Sequence, residues 1–265
     1  MSYPAPNVLN YMIGKGTFYF DRYDSDGNST GELHLGNGPV FAETPTMENL
    51  DHFSSMEGLK MKDLSVIVQA GITLKWTLDE INVDNLNLAF LGDGVEYFVQ
   101  EAGNQINEPI AARVGRYINL SRRSFAAGSV NVTNVAGTVT YVEGVDYEVD
   151  YTSGRVFIII GGTIADNQVL HVDYTYNAAN IPIVNPITNT EMIGLVRFKG
   201  NCVHGAHYEI VHWRVKLNVE GDINFIGEDW AQIGFTGEVL ADNEKHPDEP
   251  YGTIYDLQSD TQPES

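Results

Sequence analysis

Short runs in which polar and apolar residues alternate, separated by turns that carry glycine, occupy most of this 265-residue chain. Alternation with a period of two places the apolar side chains on one face of a β-strand. Threonine, valine, tyrosine and asparagine recur throughout, which also favours strands and turns over helices. The sequence therefore predicts a mainly β protein.

One segment carries the signals of an α-helix. Asn82 is a favourable N-cap, and Gly92 supplies a C-terminal stop. Val83, Leu86 and Phe90 lie at positions i, i+3 and i+7, which share one face of a helix. We predict a helix over residues 83–91 whose core face is Val83, Leu86 and Phe90.

The stretch from residue 112 to 180 reads as a module of its own. It contains six short runs of strand character, spaced at close to the roughly 8 to 12 residues of an all-β module. We predict an N-terminal arm at 1–14, a discontinuous β-domain at 15–111 and 181–241, an inserted β-sandwich at 112–180, and a C-terminal arm at 242–265.

A polar stretch from residue 44 to 63 joins two predicted strands. It is far longer than the usual connection of about 4 to 6 residues, and long loops in compact domains are usually functional or disordered. Leu50, Phe53, Met56 and Leu59 recur within it and are too apolar for free solvent. We therefore predict that this loop docks on another molecule.

The chain carries 36 acidic and 15 basic residues, a formal net charge of -21. Phosphate binding requires clustered lysine and arginine, so this excess disfavours nucleic-acid binding and attachment to an anionic membrane. One segment is an exception, because Arg113, Arg116, Arg122 and Arg123 occur there without an acidic residue between them. We interpret these arginines as ion-pair partners on an acidic protein.

The search for catalytic and metal-binding motifs predicts no enzyme and no cofactor. Residues 24–28 resemble the start of a calcium loop, but Ser29 stands at the glycine position and Leu35 at that of the bidentate glutamate. Neither a Gly-x-Ser-x-Gly motif nor a phosphate-binding loop occurs. The lone Cys202 excludes an internal disulfide, and the first residues do not resemble a signal peptide, so we expect folding in a reducing cytoplasm.

Four blocks, in this order along the chain, resemble the tail tube (major tail) proteins of long, non-contractile-tailed bacteriophages. They are GELHLGNGPVF at 31–41, ENLDHFSSMEGLKMKD at 48–63, LKWTLDEINVDNL at 74–86 and DWAQIGFTGEVL at 229–240. The resemblance implies a β-sandwich or barrel with one flanking α-helix, to which the module at 112–180 is added.

The resemblance also implies a structural virion subunit that forms hexameric rings, which stack into a tube with a negatively charged lumen. The loop at 44–63 is then an inter-ring stacking loop. Its apolar members would dock on a neighbouring subunit and its charged members would set the register. The loop residues that we assign to stacking are Glu48, Leu50, Asp51, Phe53, Met56, Leu59, Lys60 and Lys62.

The partners implied in this way are other copies of the chain, tail tip or baseplate proteins, a tail terminator protein, and a tape measure protein in the lumen. Genomic DNA would pass without specific binding, no membrane would be contacted, and the protein would assemble in the host cytoplasm and reside in the virion tail. The module at 112–180 would lie on the outside of the tube.

The main alternative is a carbohydrate-binding or adhesive β-sandwich on a virion or cell surface. Such a protein would expose tryptophan and tyrosine side chains on one concave face. Trp76, Trp213 and Trp230 lie instead in apolar strand contexts, so we expect them to be buried.

We expect the protein not to retain double-stranded DNA. A net charge of -21 on each subunit repels phosphate at the distances that salt does not screen. An electrophoretic mobility-shift assay at physiological salt should show free DNA at every protein concentration. A shift at micromolar protein would contradict this prediction and would restore the four arginines as a nucleic-acid surface.

Overall fold

The computed structural model describes residues 8, 11–56 and 58–257, and it is 51% strand and 3% helical. Several sheets and a single α-helix make up the described ranges. The predicted fold class, a mainly β protein with one flanking α-helix and an additional small β-sandwich, is confirmed. None of the helical structure in these ranges is long and apolar enough to cross a membrane.

Sixteen strands and the helix α1 (Val83–Ala89) form within the described ranges. The first eight strands are β1 (Gly16–Tyr23), β2 (Ser29–His34), β3 (Val40–Ser54), β4 (Met61–Leu78), β5 (Glu96–Gln100), β6 (Gly103–Ala111), β7 (Tyr117–Asn119) and β8 (Asn131–Asn134). The last eight are β9 (Tyr147–Asp150), β10 (Arg155–Ile158), β11 (Val169–Tyr176), β12 (Ala179–Ile183), β13 (Ile193–Gly200), β14 (Tyr208–Glu220), β15 (Ile233–Val239) and β16 (Thr253–Asp256). The chain divides into unit 1 (Met1–Val95 and Val184–Ser265) and unit 2 (Glu96–Ile183).

Unit 1 is built on one antiparallel sheet. Its strand order is β2-β1-β13-β14-β15-β4-β3, and β16 pairs with the first residues of β14. Although β1 and β3 are far apart in this order, the ring centroids of Phe18 on β1 and Phe41 on β3 are only 5.0 Å apart. Phe41 also stacks on Phe198 of β13 at 4.9 Å. The sheet therefore curls until its two ends face each other across a shared core.

Alternate residues of the inner half of β4 fill this core. Leu74, Trp76 and Leu78 are at most 2% exposed, as a strand with one buried face requires. Gly237 on β15 makes room for the indole ring, because a Cβ atom there would stand 3.1 Å from Trp76 and 2.6 Å from Val215. The missing side chain at residue 237 thus lets the tryptophan pack flat against the neighbouring strands.

Helix α1 begins where the sequence predicts and ends by a different device. Asn82 is the N-cap, and its side chain accepts a hydrogen bond from the Asn85 N–H at 2.8 Å. At the other end, Leu91 adopts a left-handed conformation with a φ of 51°. The Gly92 N–H then donates to the Asn87 carbonyl at 2.8 Å, which completes a Schellman motif. Leu91, and not Gly92, therefore occupies the left-handed position.

The core face of α1 differs from the predicted one. Leu88 and Ala89 lie inside the core of unit 1, and Leu86 packs partly against it. Val83 and Phe90 are half-buried and lie outside that core. The helix is therefore rotated relative to the orientation that its apolar spacing predicts.

A buried asparagine accounts for this rotation. Asn85 is 0% exposed, and its amide donates to the backbone carbonyls of Leu35 and Glu80, each at 2.9 Å. These bonds hold the Asn85 side of the helix against the sheet. An apolar periodicity cannot reveal a face that is anchored by a polar side chain.

Unit 2 is a small sandwich with its own core. Two three-stranded antiparallel sheets, β7-β10-β9 and β6-β11-β8, are accompanied by the two-stranded ribbon β12-β5. Val132, Val156, Ile158, Leu170 and Val172 come from both three-stranded sheets and are all 0% exposed. A separate, fully buried apolar cluster is what an independently folding domain requires.

Two predicted boundaries need correction. Unit 2 begins at Glu96 and not at residue 112, because β5 pairs with β12 and β6 pairs along β11. The predicted N-terminal arm falls mostly outside the described residues, as do residues 258–265 of the predicted C-terminal arm. Residues 242–257 of that arm fold onto unit 1, where β16 pairs with Tyr208–Val211 of β14.

We expect unit 1 to fold without unit 2. Glu96 and Ile183 are cross-strand partners, and such partners lie only about 5 Å apart, so a short Gly-Ser linker can join Val95 to Val184. Because all three tryptophans belong to unit 1, fluorescence-monitored urea unfolding reports on that unit alone. The excised variant should be soluble and unfold cooperatively, and a variant without a cooperative transition would contradict this prediction.

Candidate functional site

The pair of long strands β3 and β4 continues beyond the sheet of unit 1. β15 pairs with β4 only from Leu78 to Ile72. Past Ile72, within the described residues, β3 and β4 pair only with each other, as far as Ser54 opposite Met61. We call residues 46–71 the distal hairpin. Its strands extend about 30 Å at the usual rise per residue.

The distal hairpin corrects the prediction of a long loop at residues 44–63. The strands run to Ser54 and resume at Met61, so only residues 55–60 connect them. The prediction failed because the apolar residues of β3 are spaced by three and therefore point alternately to the two faces of the hairpin. A strand with apolar groups on both faces has no period of two.

Both faces of the distal hairpin expose apolar side chains to solvent. The register places Leu50 opposite Val66 and His52 opposite Leu64 on one face, and it places Asn49 opposite Ile67 on the other. Besides Met61 and Val68, six apolar strand residues of the hairpin are each 49 to 67% exposed. They are Leu50, Leu64 and Val66 on the first face, and Met47, Phe53 and Ile67 on the second.

The connection at the end of the hairpin is still more exposed. Met56 is 92% exposed and Leu59 is 75% exposed, so all four apolar residues that the sequence assigned to docking lie in solvent. Four further exposed residues were not assigned to docking, because the sequence pattern indicated a loop followed by a separate strand. They are Met47, Leu64, Val66 and Ile67. The high apolar content of residues 64–68 was the signal that could have included them.

The charged residues assigned to docking behave in two different ways. Asp51 pairs with Lys62 at 2.7 Å and accepts a hydrogen bond from the Ser65 hydroxyl at 2.6 Å. These two donors lower the pKa of Asp51. Glu48 and Lys60 form no ion pair within the described residues. Asp51 and Lys62 thus stabilise the hairpin itself, which leaves Glu48 and Lys60 available to a partner.

The curled sheet ends in two strands that have a free edge. In the described ranges β2 pairs only with β1, and β3 pairs only with β4. All six residues of β2 are exposed. A free edge presents unpaired N–H and C=O groups that can pair with another chain. Unit 1 therefore offers one strand edge at each end of the sheet.

The three tryptophans lie in different environments, and one of them is exposed. Trp76 is 2% exposed in the core, and Trp213 stacks on His246 with 4.1 Å between ring centroids. Trp230 is instead 92% exposed in the connection between β14 and β15, together with Phe225 and Ile226. This connection is a second apolar surface of unit 1, and the prediction of buried tryptophans is wrong for Trp230.

The excess of acidic residues is concentrated in unit 1. Unit 2 holds nine acidic and five basic residues, all five of them arginine, and so contributes -4 to the net charge of -21. Unit 1 contributes the remaining -17. The unit that carries the distal hairpin and the free edges is therefore also the strongly negative one.

The acidic residues do not form a metal-binding cluster in the described part of the chain. No group of three or more histidine, cysteine, aspartate or glutamate side chains is arranged there to hold a metal ion. The calcium-loop-like segment is a turn in which the Asp24 carboxylate accepts hydrogen bonds from the N–H groups of Asp26 and Asn28. These bonds lower the pKa of Asp24.

The chain matches a protein family over most of its length. The pattern that defines a family described as "protein of unknown function UCP028589" matches residues 11–255. No curated protein matches the chain.

We expect the distal hairpin to contribute little to the stability of the free subunit. Val66→Thr alters a half-exposed residue and should change the free energy of unfolding by no more than about 0.5 kcal/mol. Leu74→Ala, on the same strand but 0% exposed, should cost about 2 to 5 kcal/mol. Urea unfolding monitored by tryptophan fluorescence compares the two. Equal losses would mean that the hairpin is packed in the free subunit.

Proposed function

We propose that this chain, which belongs to the family of proteins of unknown function UCP028589, is a structural virion subunit. In this proposal the subunit forms hexameric rings, and the rings stack into the tail tube of a bacteriophage. The tube is a negatively charged conduit for genome ejection. The number six and the tail location come from the resemblance of four sequence blocks to tail tube proteins.

The observation that carries the proposal is the apolar distal hairpin. An isolated two-stranded hairpin is marginally stable in water, and large exposed apolar surfaces mark sites of association. Leu50, Leu64 and Val66 on one face, with Met56 and Leu59 at the tip, are groups that burial against a neighbour would remove from water. We infer that the distal hairpin packs on an adjacent subunit when rings stack.

The two free strand edges support closed rings. Their strands, β2 and β3, lie at opposite ends of one sheet. If the β3 edge of one copy meets the β2 edge of the next, the contact is heterologous, and repetition of such a contact gives a ring or a filament. A ring also removes exposed edges from solution, which limits unwanted aggregation.

The charge distribution supports the role of conduit. With -17 on unit 1, six copies in a ring would place a high density of negative charge around the lumen. Such a wall repels phosphate and lets DNA pass without being retained. Unit 2 would then lie on the outer surface, where an inserted domain does not obstruct stacking.

The remaining partners follow from the resemblance alone. A tube of this kind needs proteins that close its two ends, a tail tip or baseplate and a terminator, and a tape measure protein in its lumen. These partners, like the assembly in the host cytoplasm, belong to the proposal.

Electron microscopy of the concentrated protein tests the proposal. The full chain should form rings and hollow tubes. A variant in which an Asn-Gly turn joins the cross-strand partners Thr46 and Gly71 removes the distal hairpin symmetrically and should stay folded without forming tubes. A deletion of 46–61 alone would leave residues 62–71 of β4 without their partner strand and is a poorer test.

The variant that lacks Glu96–Ile183 is the matched control. It loses a larger part of the chain, yet it should still form tubes, with a smaller outer radius. Monomers alone, at high concentration and at several salt concentrations, would contradict the proposal and favour the carbohydrate-binding alternative. Normal tubes from the hairpin variant would contradict the role of the distal hairpin.

A further inference from the structure

Four of the five arginines of unit 2 have no carboxylate partner within the described residues. From the sequence we expected four of these arginines to form ion pairs: Arg113, Arg116, Arg122 and Arg123. In the described part of the chain, none of the four pairs with a carboxylate. Arg155 is the arginine of unit 2 that does form such a pair, with Asp150 at 2.5 Å. Four unpaired guanidinium groups on an acidic protein require another explanation.

Arg123, one of these four arginines, lines a cavity on the outer face of the β7-β10-β9 sheet. The cavity has a volume of about 530 Å³, within the range of small-molecule sites. Asn119 and Arg155 are cross-strand partners and therefore project from the same face. The side chains that line the cavity are Phe98, Asn119, Ser121, Arg123, Ser153 and Arg155.

A buried glutamine holds the backbone of Arg123. Gln100 is 4% exposed, its amide N–H donates to the Arg123 carbonyl at 2.7 Å, and its amide oxygen accepts from the Arg123 N–H at 3.3 Å. The Arg123 guanidinium lies 6.0 Å from the centre of the Phe98 ring. A buried polar side chain that uses both ends of its amide to fix one arginine makes this a preorganised position.

Among the residues that line the cavity, Arg123 carries the charge that has no ion-pair partner within the described residues. Asp150 neutralises Arg155, and the N–H of Ser153 and the guanidinium of Arg155 lower the pKa of Asp150 to about 2, so the carboxylate stays ionised. Glu108 accepts hydrogen bonds from Ser121 and is engaged by the protein. Arg123 is left to bind one anionic group.

The other lining groups suit a sugar. Asn119 and Ser121 are exposed, Ser153 is half-buried, and the three carry amide and hydroxyl groups, while Phe98 supplies an aromatic wall. Tyr117, 51% exposed, continues the same face beside Arg155. A nucleic acid is disfavoured, because the whole chain carries -21 and phosphate binding requires clustered cations. We propose that this cavity binds the carboxylate-bearing sugar of an acidic polysaccharide, a function independent of ring formation.

Calorimetric titration of the full chain tests the site. The probes are trigalacturonic acid and sialyllactose, and the matched neutral probes are the methyl ester of the first and lactose for the second. At least one acidic probe should bind saturably. Its neutral counterpart should bind at least about tenfold more weakly, because a charge-assisted bond to arginine is lost.

Arg123→Ala should weaken binding of the acidic probe at least about tenfold. Arg113→Ala removes an arginine that also lacks a carboxylate partner but donates a hydrogen bond to Asn167 outside the cavity, and it should leave binding unchanged. Circular dichroism of both variants verifies that each is folded, which the exposure of both side chains favours.

Three results would overturn the assignment. One is no saturable binding of either acidic probe up to about 10 mM, a concentration well above a weak but specific dissociation constant. The second is binding that Arg123→Ala does not change. The third is binding of a single-stranded oligodeoxynucleotide that depends on Arg123 while neither sugar binds, which would assign the cavity to phosphate.

Discussion

A row of aromatic side chains across three strands sets the register on which unit 1 depends. Trp76 on β4 lies opposite Phe41 on one side and opposite Phe235 on the other. Its ring stacks on Phe235 at 5.4 Å and contacts Phe18 at 5.1 Å. A slip of one residue in β4 would turn its buried residues toward solvent. The row therefore determines both the curl of the sheet and the residue at which β4 leaves it.

That register divides β4 into two halves with different surroundings. The inner half is a core strand in which Leu74, Trp76 and Leu78 are buried, whereas every residue from Met61 to Ala70 is exposed. The inner half supplies the stability, so the outer half is free to carry apolar residues on both faces. In the proposed function, one continuous strand both anchors the subunit and reaches its neighbour.

Local signals in the sequence predicted local structure well. The Asn82 N-cap was predictable because its hydrogen bond joins residues three apart, and the mainly β class followed from alternation within short segments. The end of α1 was not predictable from the sequence, since the left-handed conformation of Leu91 is held by the packing around it. The prediction of the core face of α1 failed for a related reason. Asn85 is buried because its amide donates a hydrogen bond to the carbonyl of Leu35, 50 residues away.

Features that depend on distant pairing could not be predicted from the sequence. β6 belongs to unit 2 only because β11, some sixty residues later, pairs with it. The distal hairpin was divided because its two strands are recognised as partners only once their register is known. In unit 2, the sequence showed Arg123 as one of four clustered arginines, which we interpreted as ion-pair partners. The two hydrogen bonds between the Gln100 amide and the backbone of Arg123 became visible only in the structure.

The pairing of β5 with β12 has a consequence for the order in which the chain folds. If unit 2 were unfolded, unit 1 would have to close a loop of the 88 residues from Glu96 to Ile183, at an entropic cost of about 4 kcal/mol. Unit 2 is continuous in sequence and leaves the ribosome before β13 to β16 are made. Its early folding brings Val95 next to Val184, so that the two separated parts of unit 1 meet as though they were neighbours in the chain.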